Sequence, residues 1–420
     1  MKSTVAGFLL ALAMATSVGA QATAPPAATA PAFDPVAATE TYLARMTPSQ
    51  KAHSDAYFEG GYWLQLWDFA IGAGIAFLLL AGGLSRRMRD LAARMVPWKP
   101  LQTWLYWAMY LVLVSLISFP MTVYEGYVRE HKYGLSKQNF GAWLGDQGKG
   151  LGVGLVFGGL AIVVLYGVLR RTPRTWWLWG AVTATVLLVV ASLIAPVFVS
   201  PLFNKYKKVE DPAIREPVLS LARANGIDAK DIYEFDASRQ TTKASANVSG
   251  FAGTMRISLN DNLLRRSTLP EIEAVLGHEM GHYVLNHIYK GILEFGFLIV
   301  LGFAFLRWAF EKIVAGRGAR WGIAGIGDVA GLPLFLFLFS LYFFLLTPVV
   351  NSLIRGQEAE ADIFGLNASR QPDGFSEAAL KLGEYRKMSP TPLEEFIFFD
   401  HPSGRNRILM SMRWKAENLK

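Results

Sequence analysis

Six long apolar stretches constrain the fold of this chain more than any other feature of its sequence. They cover residues 64–84, 101–123, 151–169, 176–199, 291–310 and 331–350. Each approaches the roughly 20 residues that a helix needs to cross a bilayer, and tryptophan and tyrosine cluster at several of their ends, as at membrane–water interfaces. Because 52% of the chain is hydrophobic, we predict a mainly α-helical, polytopic membrane protein rather than a soluble protein with buried helices.

Basic residues in three short loops predict the orientation of these helices. The loops follow the first, third and fifth stretches and contain Arg86, Arg87, Arg89, Arg94 and Lys99, then Arg170, Arg171 and Arg174, then Lys312, Arg317 and Arg320. Basic loops face the cytoplasm, so the polar segments 200–290 and 351–420 fall together on the opposite, periplasmic or outer face of a cell (inner) membrane. The formal net charge of +8 therefore indicates a lipid bilayer as partner and no nucleic acid.

The N-terminal region is predicted to precede the membrane domain. Residues 1–20 have a short basic start, an apolar core and a small-residue cleavage site, which is typical of a signal peptide; an uncleaved first membrane helix, a seventh in all, is the alternative. Residues 21–60 are an Ala/Pro-rich linker and a polar segment, of which 21–38 is predicted to be extended. The chain contains no cysteine, which excludes disulfides and cysteine metal ligands.

The segment 271–287 contains the motif H-E-x-x-H, from His278 to His282. Apolar residues recur around it at helical spacing, and residues four apart on a helix share one face. His278 and His282 can therefore bind one zinc ion together. Glu279 is placed to act as the general base toward the attacking water. The alternative from spacing alone is two histidines and a glutamate on an ordinary amphipathic helix.

A catalytic zinc site needs a third protein ligand. His287 is the nearest candidate, but Leu285 stands where the extended three-histidine motif requires glycine. Glu358 and Asp362 are also four residues apart and share a predicted helix face. One of these carboxylates can bind the metal while the other holds a ligand histidine by its free ring N–H. A solvated acidic helix face is the alternative.

The segment 205–290 is predicted to be a small α/β metalloprotease unit at the membrane surface. It lies between four membrane helices in residues 61–204 and two in residues 291–350, and residues 351–420 complete the catalytic unit. Its elements are a helix near 211–225, a strand at Ile232–Phe235, extended segments at Lys243–Phe251 and Met255–Asn260, and the H-E-x-x-H helix. The segment Ala244–Gly250 can bind a peptide substrate by β-addition, which makes Ser245, Ala246 and Asn247 the candidate substrate strand. An ordinary edge strand fits equally well.

The C-terminal segment contains two further candidates, His401 and Arg407. Near a zinc site, a histidine and an arginine can polarise the scissile carbonyl and stabilise the oxyanion. A surface turn at Pro402-Ser-Gly404 explains the same spacing.

Together these motifs resemble those of the type-1 CAAX prenyl proteases, integral-membrane zinc metalloendopeptidases of the gluzincin kind. The resemblance runs from about residue 60 to the end of the chain. Besides H-E-x-x-H with His287, it includes Glu130-His-Lys-Tyr-Gly134, Ser200-Pro-Leu-Phe203, Ile257-Ser-Leu-Asn-Asp-Asn-Leu-Leu264, Arg355-x-x-Glu358-x-x-Ala-Asp362, and His401-Pro with Arg407.

The resemblance implies one zinc ion per chain, at one end of a chamber enclosed by the membrane helices. It gives each candidate a role: zinc ligand for His278, His282 and Glu358, catalytic base for Glu279, support of a ligand histidine for Asp362, and contact with the substrate or transition state for His401 and Arg407.

Three features depart from the family pattern. The family usually has Asn-Ala at the place of Ser245-Ala246, whereas Asn247 is displaced here. The family has seven membrane spans, against six here plus the signal-like start. Eukaryotic members face their site to the cytosol, whereas the loop charges place it on the outer face. On that face, cytosolic prenylated proteins are not the natural substrate.

We therefore predict a membrane-embedded zinc metalloendopeptidase that acts on peptide or protein substrates, and the sequence leaves open whether these are prenylated or membrane-associated. One alternative is a membrane-protein quality-control metalloprotease without CAAX preference. Another, of a different class, is a membrane scaffold or channel with a structural zinc site. Glu279 favours an enzyme, because a structural site needs ligands but no base.

Overall fold

The computed structural model describes residues 33–249 and 255–419, most of which are helical. The helices are α1 (Pro35–Leu43), α2 (Pro48–Ala81), α3 (Leu84–Met95), α4 (Lys99–Val123), α5 (Glu130–Lys132), α6 (Phe140–Val153), α7 (Gly159–Arg171), α8 (Trp176–Ile194), α9 (Ser200–Phe203), α10 (Pro212–Ala224), α11 (Asp261–Arg266), α12 (Leu269–Val284), α13 (His287–Trp321), α14 (Leu332–Leu345), α15 (Thr347–Ser369), α16 (Pro372–Leu382), α17 (Pro392–Phe398) and α18 (Gly404–Asn418). Short π-helical segments join α4 to α5, α6 to α7 and α8 to α9 (Tyr124–Arg129, Gly154–Gly158 and Ala195–Val199).

Five helices in the described part of the chain are long and apolar enough to cross a membrane. They are Pro48–Ala81, Lys99–Lys132, Phe140–Arg171, Trp176–Phe203 and His287–Trp321. A sixth candidate is a pair, Val329–Leu345 and Thr347–Ser369, bent by 60°. Each of the six predicted stretches overlaps one of these helices or the bent pair, so the chain is a multi-pass membrane protein. Residues 1–20, predicted as a signal peptide or first helix, lie outside the described residues.

Part of the predicted linker is helical instead. Residues 21–32 lie outside the described residues, but α1 begins at Pro35, so the prediction of extended chain was wrong for residues 35–38. Proline suits the first position of a helix, and alanines follow it. The helix is also held by packing, since Ala38 and Tyr42 contact a core cluster that contains Ile408 and Met412 of α18.

A four-stranded sheet forms the base of the polar unit. Its strands are β1 (Tyr206–Lys208), β2 (Ile232–Phe235), β3 (Ala246–Ser249) and β4 (Arg256–Asn260), in the order β1-β2-β4-β3. The β2–β4 pair is parallel and the two outer pairs are antiparallel. Apolar residues of the inner strands, Ile232, Ile257 and Leu259, pack with Ile272 and Leu276 of α12. The predicted helix near 211–225 and strand at Ile232–Phe235 are confirmed.

Glycines allow α12 and α15 to pack closely together. A Cβ atom added at Gly277 would lie 2.9 Å from the carbonyl oxygen of Gly365, and one added at Gly365 would lie 2.7 Å from the backbone nitrogen of His278. A Cβ atom at Gly281 would lie 3.0 Å from the Cα of Ala361. This close approach brings the carboxylates of Glu358 and Asp362 on α15 to the motif histidines of α12.

Candidate metal centre

His278, His282 and Glu358 offer three metal-ligand atoms that lie within 4.8 Å of one another. The Nε2 atom of His278 is 3.2 Å from His282 Nε2 and 3.2 Å from Glu358 Oε2, and His282 Nε2 is 3.5 Å from Glu358 Oε1. Ligand atoms around a tetrahedral zinc ion with Zn–N bonds of about 2.0–2.1 Å lie roughly 3.3 Å apart. The spacing therefore fits one zinc ion.

The carboxylate of Glu358 fits a bound cation for a second reason. Its Oε2 atom is buried and accepts no well-directed hydrogen bond from the residues that the structure describes. The Nε2 atoms of His278 and His401 lie close, at 3.2 and 3.1 Å, but not in hydrogen-bonding geometry. A buried carboxylate oxygen without a partner is costly, and a metal ion among these atoms would remove that cost.

Asp362 holds the ring of His278 from the other side. Its Oδ1 atom accepts a 2.7 Å hydrogen bond from His278 Nδ1, and its side chain is fully buried. Arg407 donates to the same carboxylate, from Nε to Oδ2 at 2.9 Å and from Nη2 to Oδ1 at 2.5 Å. The buried charge of Asp362 is thus paired, and the His278 ring is fixed with Nε2 toward Glu358.

The electrostatic field at the metal centre favours a cation. Burial alone would lower the pKa of His278, but the hydrogen bond to Asp362 and the nearby carboxylate of Glu358 outweigh it and raise the pKa to about 9. His282 has a pKa lowered to about 4, because burial and the positive charge of His278 both oppose its protonation. Negative potential that holds a proton at His278 also attracts a divalent ion.

Glu279 and its neighbour His278 both line a cavity of about 210 Å³. Burial, supported by the negative charge of Glu358, raises the pKa of the Glu279 carboxyl to about 7, although the charge of His278 opposes this. A carboxylate with a raised pKa binds a proton more readily, which suits a general base. The geometry allows Glu279 to exchange a proton with a water in this cavity.

His401 lies at the edge of the centre, and Asp400 holds it there. The Nδ1 atom of His401 is 2.8 Å from Asp400 Oδ1, while Nε2 faces Glu358. Arg355 holds the chain before this pair, since its Nη1 donates to the carbonyl oxygens of Glu395 and Phe399 at 2.8 and 2.5 Å. His401 is therefore part of the centre and not of an isolated surface turn. Sequence reasoning missed Asp400, although its position next to His401 is a signal.

Arg407, for which a contact with substrate or transition state is predicted, lies beside Asp362. It lines the same cavity, but its Nε and Nη2 atoms are used by Asp362. Its Nη1 atom lies outside that pair, so a contact with substrate is compatible with this geometry. The contact that the structure shows is with Asp362.

The predicted substrate strand forms one wall of the cavity. Ser245 and Ala246 line it, together with His278 and Glu279. Asn247 is exposed and is not among the residues that line the cavity. Strand β3 pairs only with β4 among the described strands, so its other edge faces away from the sheet.

The ladder shows which backbone groups of β3 face away from β4. The amide of Asn260 donates to the carbonyl oxygen of Ser245 at 2.9 Å, and Ala246 lies opposite Leu259. In an antiparallel pair, hydrogen-bonded and non-bonded positions alternate. The N–H and C=O groups of Ala246 therefore point away from β4, where a peptide can pair with them.

Two polar side chains fix the residues just before β3. Asn260 Nδ2 donates to the carbonyl oxygen of Lys243 at 2.8 Å, and Asn262 Nδ2 donates to that of Thr241 at 2.7 Å. Both asparagines belong to the Ile257–Leu264 motif, whose role the sequence left open.

The ammonium group of Lys243 ties the same segment to the membrane helices. It lies 3.0 Å from Glu130 Oε2 and 3.0 Å from Tyr57 Oη, and the Tyr57 hydroxyl donates to Glu130 Oε1 at 2.6 Å. Glu130 opens the Glu130–Gly134 motif at the end of the second span. The start of the candidate substrate strand is therefore held by the membrane domain as well as by the sheet.

Two known protein families match this chain, and together they cover nearly all of it. The CAAX prenyl protease N-terminal domain, described as five membrane helices, matches residues 37–205, and peptidase family M48 matches residues 208–412. The chain belongs to peptidase family M48. It is a membrane zinc metalloendopeptidase. M48 metalloproteases use zinc, and His278, His282 and Glu358 are the candidate site for that ion. The scaffold or channel alternative is not favoured.

Individual relatives agree with this assignment. The uncharacterized metalloprotease YhfN of Bacillus subtilis is 28% identical over 369 residues, which cover 86% of this chain and 85% of that protein. CAAX prenyl protease 1 of Saccharomyces cerevisiae is 31% identical over 182 residues, 43% of this chain but only 40% of the yeast protein. The crystal structure of S. mikatae Ste24p matches 90% of this chain and 95% of its own with a TM-score of 0.73 at 22% identity, which shows the same fold.

Proposed function

We propose that this peptidase cleaves its substrates at the site built from α12 and α15, with His278, His282 and Glu358 as the zinc ligands and Glu279 as the general base. The observation that carries this proposal is that Glu279 shares one cavity with the candidate ligand His278 and with residues of the edge strand β3, while His278, His282 and Glu358 are spaced for one zinc ion. Ligands, base and peptide-binding edge are the parts that a metalloendopeptidase needs.

Each residue then has a chemical task. When bound, the zinc ion supplies a Lewis acid and lowers the pKa of water to about 7. Glu279 takes a proton from the attacking water as its oxygen adds to the scissile carbonyl carbon. Glu279 then passes this proton to the amide nitrogen as the C–N bond breaks. Asp362 keeps the proton of His278 on Nδ1, which leaves Nε2 without a proton and available as a zinc ligand.

His401 and the edge strand contribute to binding and orientation in this proposal. With both ring nitrogens protonated, His401 can donate to Asp400 through Nδ1 and to the developing oxyanion through Nε2. Arg407 donates to Asp362 and so holds the carboxylate that orients His278. The outward N–H and C=O groups of Ala246 bind the substrate backbone, which allows cleavage of peptides with varied side chains.

The experiment that tests substrate class compares matched peptides with and without a C-terminal prenyl group. Relatives named CAAX prenyl protease 1 make prenylated peptides the natural first probe. Purified wild type should cleave peptides and the Glu279→Gln variant should not. Faster cleavage of prenylated peptides supports a CAAX substrate, whereas equal rates favour a quality-control protease without that preference. Cleavage by Glu279→Gln at the wild-type rate contradicts the proposed site.

We also propose that the catalytic unit faces the periplasmic or outer side of the cell membrane. In support, the three basic loops lie together at one end of the molecule: Arg89 Nη1 donates to the carbonyl oxygen of Gly322 at 2.8 Å, and Arg170 Nε to that of Gly327 at 2.9 Å. The metal centre lies near the other end of α13, which is roughly 50 Å long at 1.5 Å per residue. Basic loops face the cytoplasm.

The orientation can be measured because the chain has no cysteine. Single cysteines at the exposed residues Leu393, on the catalytic side, and Arg174, in a basic loop, are labelled in intact cells with a membrane-impermeant thiol reagent. Labelling of Leu393→Cys but not of Arg174→Cys is expected. The reverse pattern would place the catalytic unit on the cytoplasmic side.

A further inference from the structure

The turn between α12 and α13 returns the chain sharply toward the metal centre. Helix α12 ends at Val284, and Asn286 has φ 58°, one of two non-glycine residues with positive φ among those described. Asparagine tolerates this left-handed conformation better than most residues. The turn places His287, the first residue of α13, back against α12, where it is only 4% exposed.

The buried ring of His287 contacts His282 directly. The two Nδ1 atoms are 2.9 Å apart. On its other side, His287 Nε2 is 3.1 Å from Glu360 Oε2. The ammonium group of Lys290 lies 2.9 and 3.0 Å from the two oxygens of Glu360. His282, His287, Glu360 and Lys290 thus form a continuous chain of hydrogen bonds.

Zinc binding by His282 would fix which atom donates and which accepts at each of these hydrogen bonds. An imidazole that offers Nε2 to a metal carries its proton on Nδ1, so His282 donates to His287. His287 Nδ1 must then be the acceptor, which leaves the proton of the neutral ring on Nε2, where it is donated to Glu360. Lys290 balances the carboxylate charge. Each of the two ring N–H groups in this chain of hydrogen bonds then has an acceptor.

We infer that His287 is a positioning residue that fixes the ring of His282 in the orientation needed for zinc. This inference rests on the proposed function, which makes His282 a ligand. His278 has Asp362 as its partner on Nδ1, and His287 takes the corresponding place for His282. The two ligand histidines are therefore held by different elements, His278 by α15 and His282 by the first turn of the membrane helix α13.

The test measures the zinc dissociation constant of the full-length protein by competition with a chromogenic chelator. His287→Leu fills a similar volume without hydrogen bonds and should weaken zinc binding by about 10–100-fold. His287→Gln should retain most of the affinity, because an amide can accept from His282 and donate to Glu360. His53→Ala, at an exposed histidine, is the matched control and should bind zinc as the wild type does.

A second variant keeps the test decisive if His287→Leu does not fold. Glu360 is half exposed, with 51% of its side-chain surface accessible, so Glu360→Ala should fold and should weaken zinc binding less than His287→Leu. Wild-type affinity in both His287→Leu and Glu360→Ala overturns the inference. Equal losses in His287→Leu and His287→Gln overturn it too, because they would reflect packing and not hydrogen bonding.

One reference variant separates this inference from the proposed function. His282→Ala should lose zinc if His282 is a ligand. If His282→Ala still binds one zinc ion with wild-type affinity, the proposed ligand set fails. If His282→Ala loses zinc while His287→Leu keeps it, only the positioning role of His287 fails.

Discussion

His278 and Asp362 are joined by a 2.7 Å hydrogen bond from Nδ1 to Oδ1, which contacts one of the two nitrogens of the imidazole ring. Glu358, one helical turn earlier on α15, faces Nε2 of the same ring at 3.2 Å. A single helix therefore places one carboxylate at each nitrogen of one imidazole. This arrangement works because residues four apart share a helix face and because glycines let α15 approach α12.

Asp362→Ala is expected to weaken zinc binding by about 10–100-fold, because the His278 ring loses the partner that orients it. Asp362→Asn should weaken binding less, since the amide oxygen still accepts from Nδ1. Chelator competition on both variants measures the effect. Unchanged affinity in Asp362→Ala would contradict the role assigned to this carboxylate.

The same substitution should also destabilise the fold. Arg407 is buried and pairs with Asp362 through Nε and Nη2. Removal of one partner of a buried pair leaves an uncompensated charge, which typically costs about 3–5 kcal/mol. The thermal unfolding midpoint of Asp362→Ala should fall well below that of the wild type, and the double variant Asp362→Ala, Arg407→Leu should recover part of the loss. A double variant no more stable than Asp362→Ala would contradict this account.

Gly365→Ala should disrupt the contact between α12 and α15, because its new Cβ atom would lie 2.7 Å from the backbone nitrogen of His278. We expect lower thermal stability and loss of zinc. Gly356→Ala is a matched control on the same helix, since a Cβ atom there meets nothing within 4 Å. Alanine is favoured over glycine in a helix by about 0.5–1 kcal/mol, so the control should be neutral or stabilising. Equal behaviour of the two variants would contradict the importance of the close crossing.

The pH profile should report the protonation of Glu279. Its carboxyl has a pKa raised from 4.5 to about 7 by burial, with the charge of Glu358 acting in the same direction. Only the deprotonated form accepts a proton, so kcat/KM should fall as the pH drops through this pKa. A bound cation lowers the pKa of Glu279 again. We therefore expect kcat/KM to fall toward low pH with a midpoint between pH 4.5 and about pH 7. Constant kcat/KM across that interval would contradict the assignment of Glu279 as base.

Ala246→Pro should reduce substrate binding without breaking the sheet. The N–H group of Ala246 points away from β4, so proline removes a donor that the ladder does not use, and edge strands tolerate proline. Ala246→Gly keeps that N–H group and is the control. We expect a raised KM for peptides in Ala246→Pro alone, with zinc content unchanged in both. If Ala246→Pro keeps the wild-type KM, the substrate backbone does not pair with this edge.

Much of this architecture could be predicted because its signals are local. Long apolar runs identified the five membrane-capable helices and the bent pair. The i, i+4 spacing of His278 with His282 and of Glu358 with Asp362 predicted both halves of the candidate metal centre. These patterns depend only on helix geometry and hydrophobicity, which act over neighbouring residues. Helix α1 was missed because its stability comes partly from packing against α18, more than 300 residues away.

The contacts between segments could not be predicted in the same way. Nothing local shows that Lys243 contacts Glu130 and Tyr57, or that Arg407 pairs with Asp362. These pairs join residues far apart in the chain, and their geometry follows from how the helices pack. The same is true of His287, whose spacing argued against a ligand role but gave no partner.

The most direct test of the account measures zinc content and peptide turnover together in Glu279→Gln, with Glu273→Gln as a control. Glu273 lies on the same helix but accepts a hydrogen bond from Gln371 instead of lining the cavity. We predict one zinc ion per chain in wild type and both variants, with turnover lost only in Glu279→Gln. Full turnover in Glu279→Gln, or zinc without turnover in the wild type, would contradict the proposed active site.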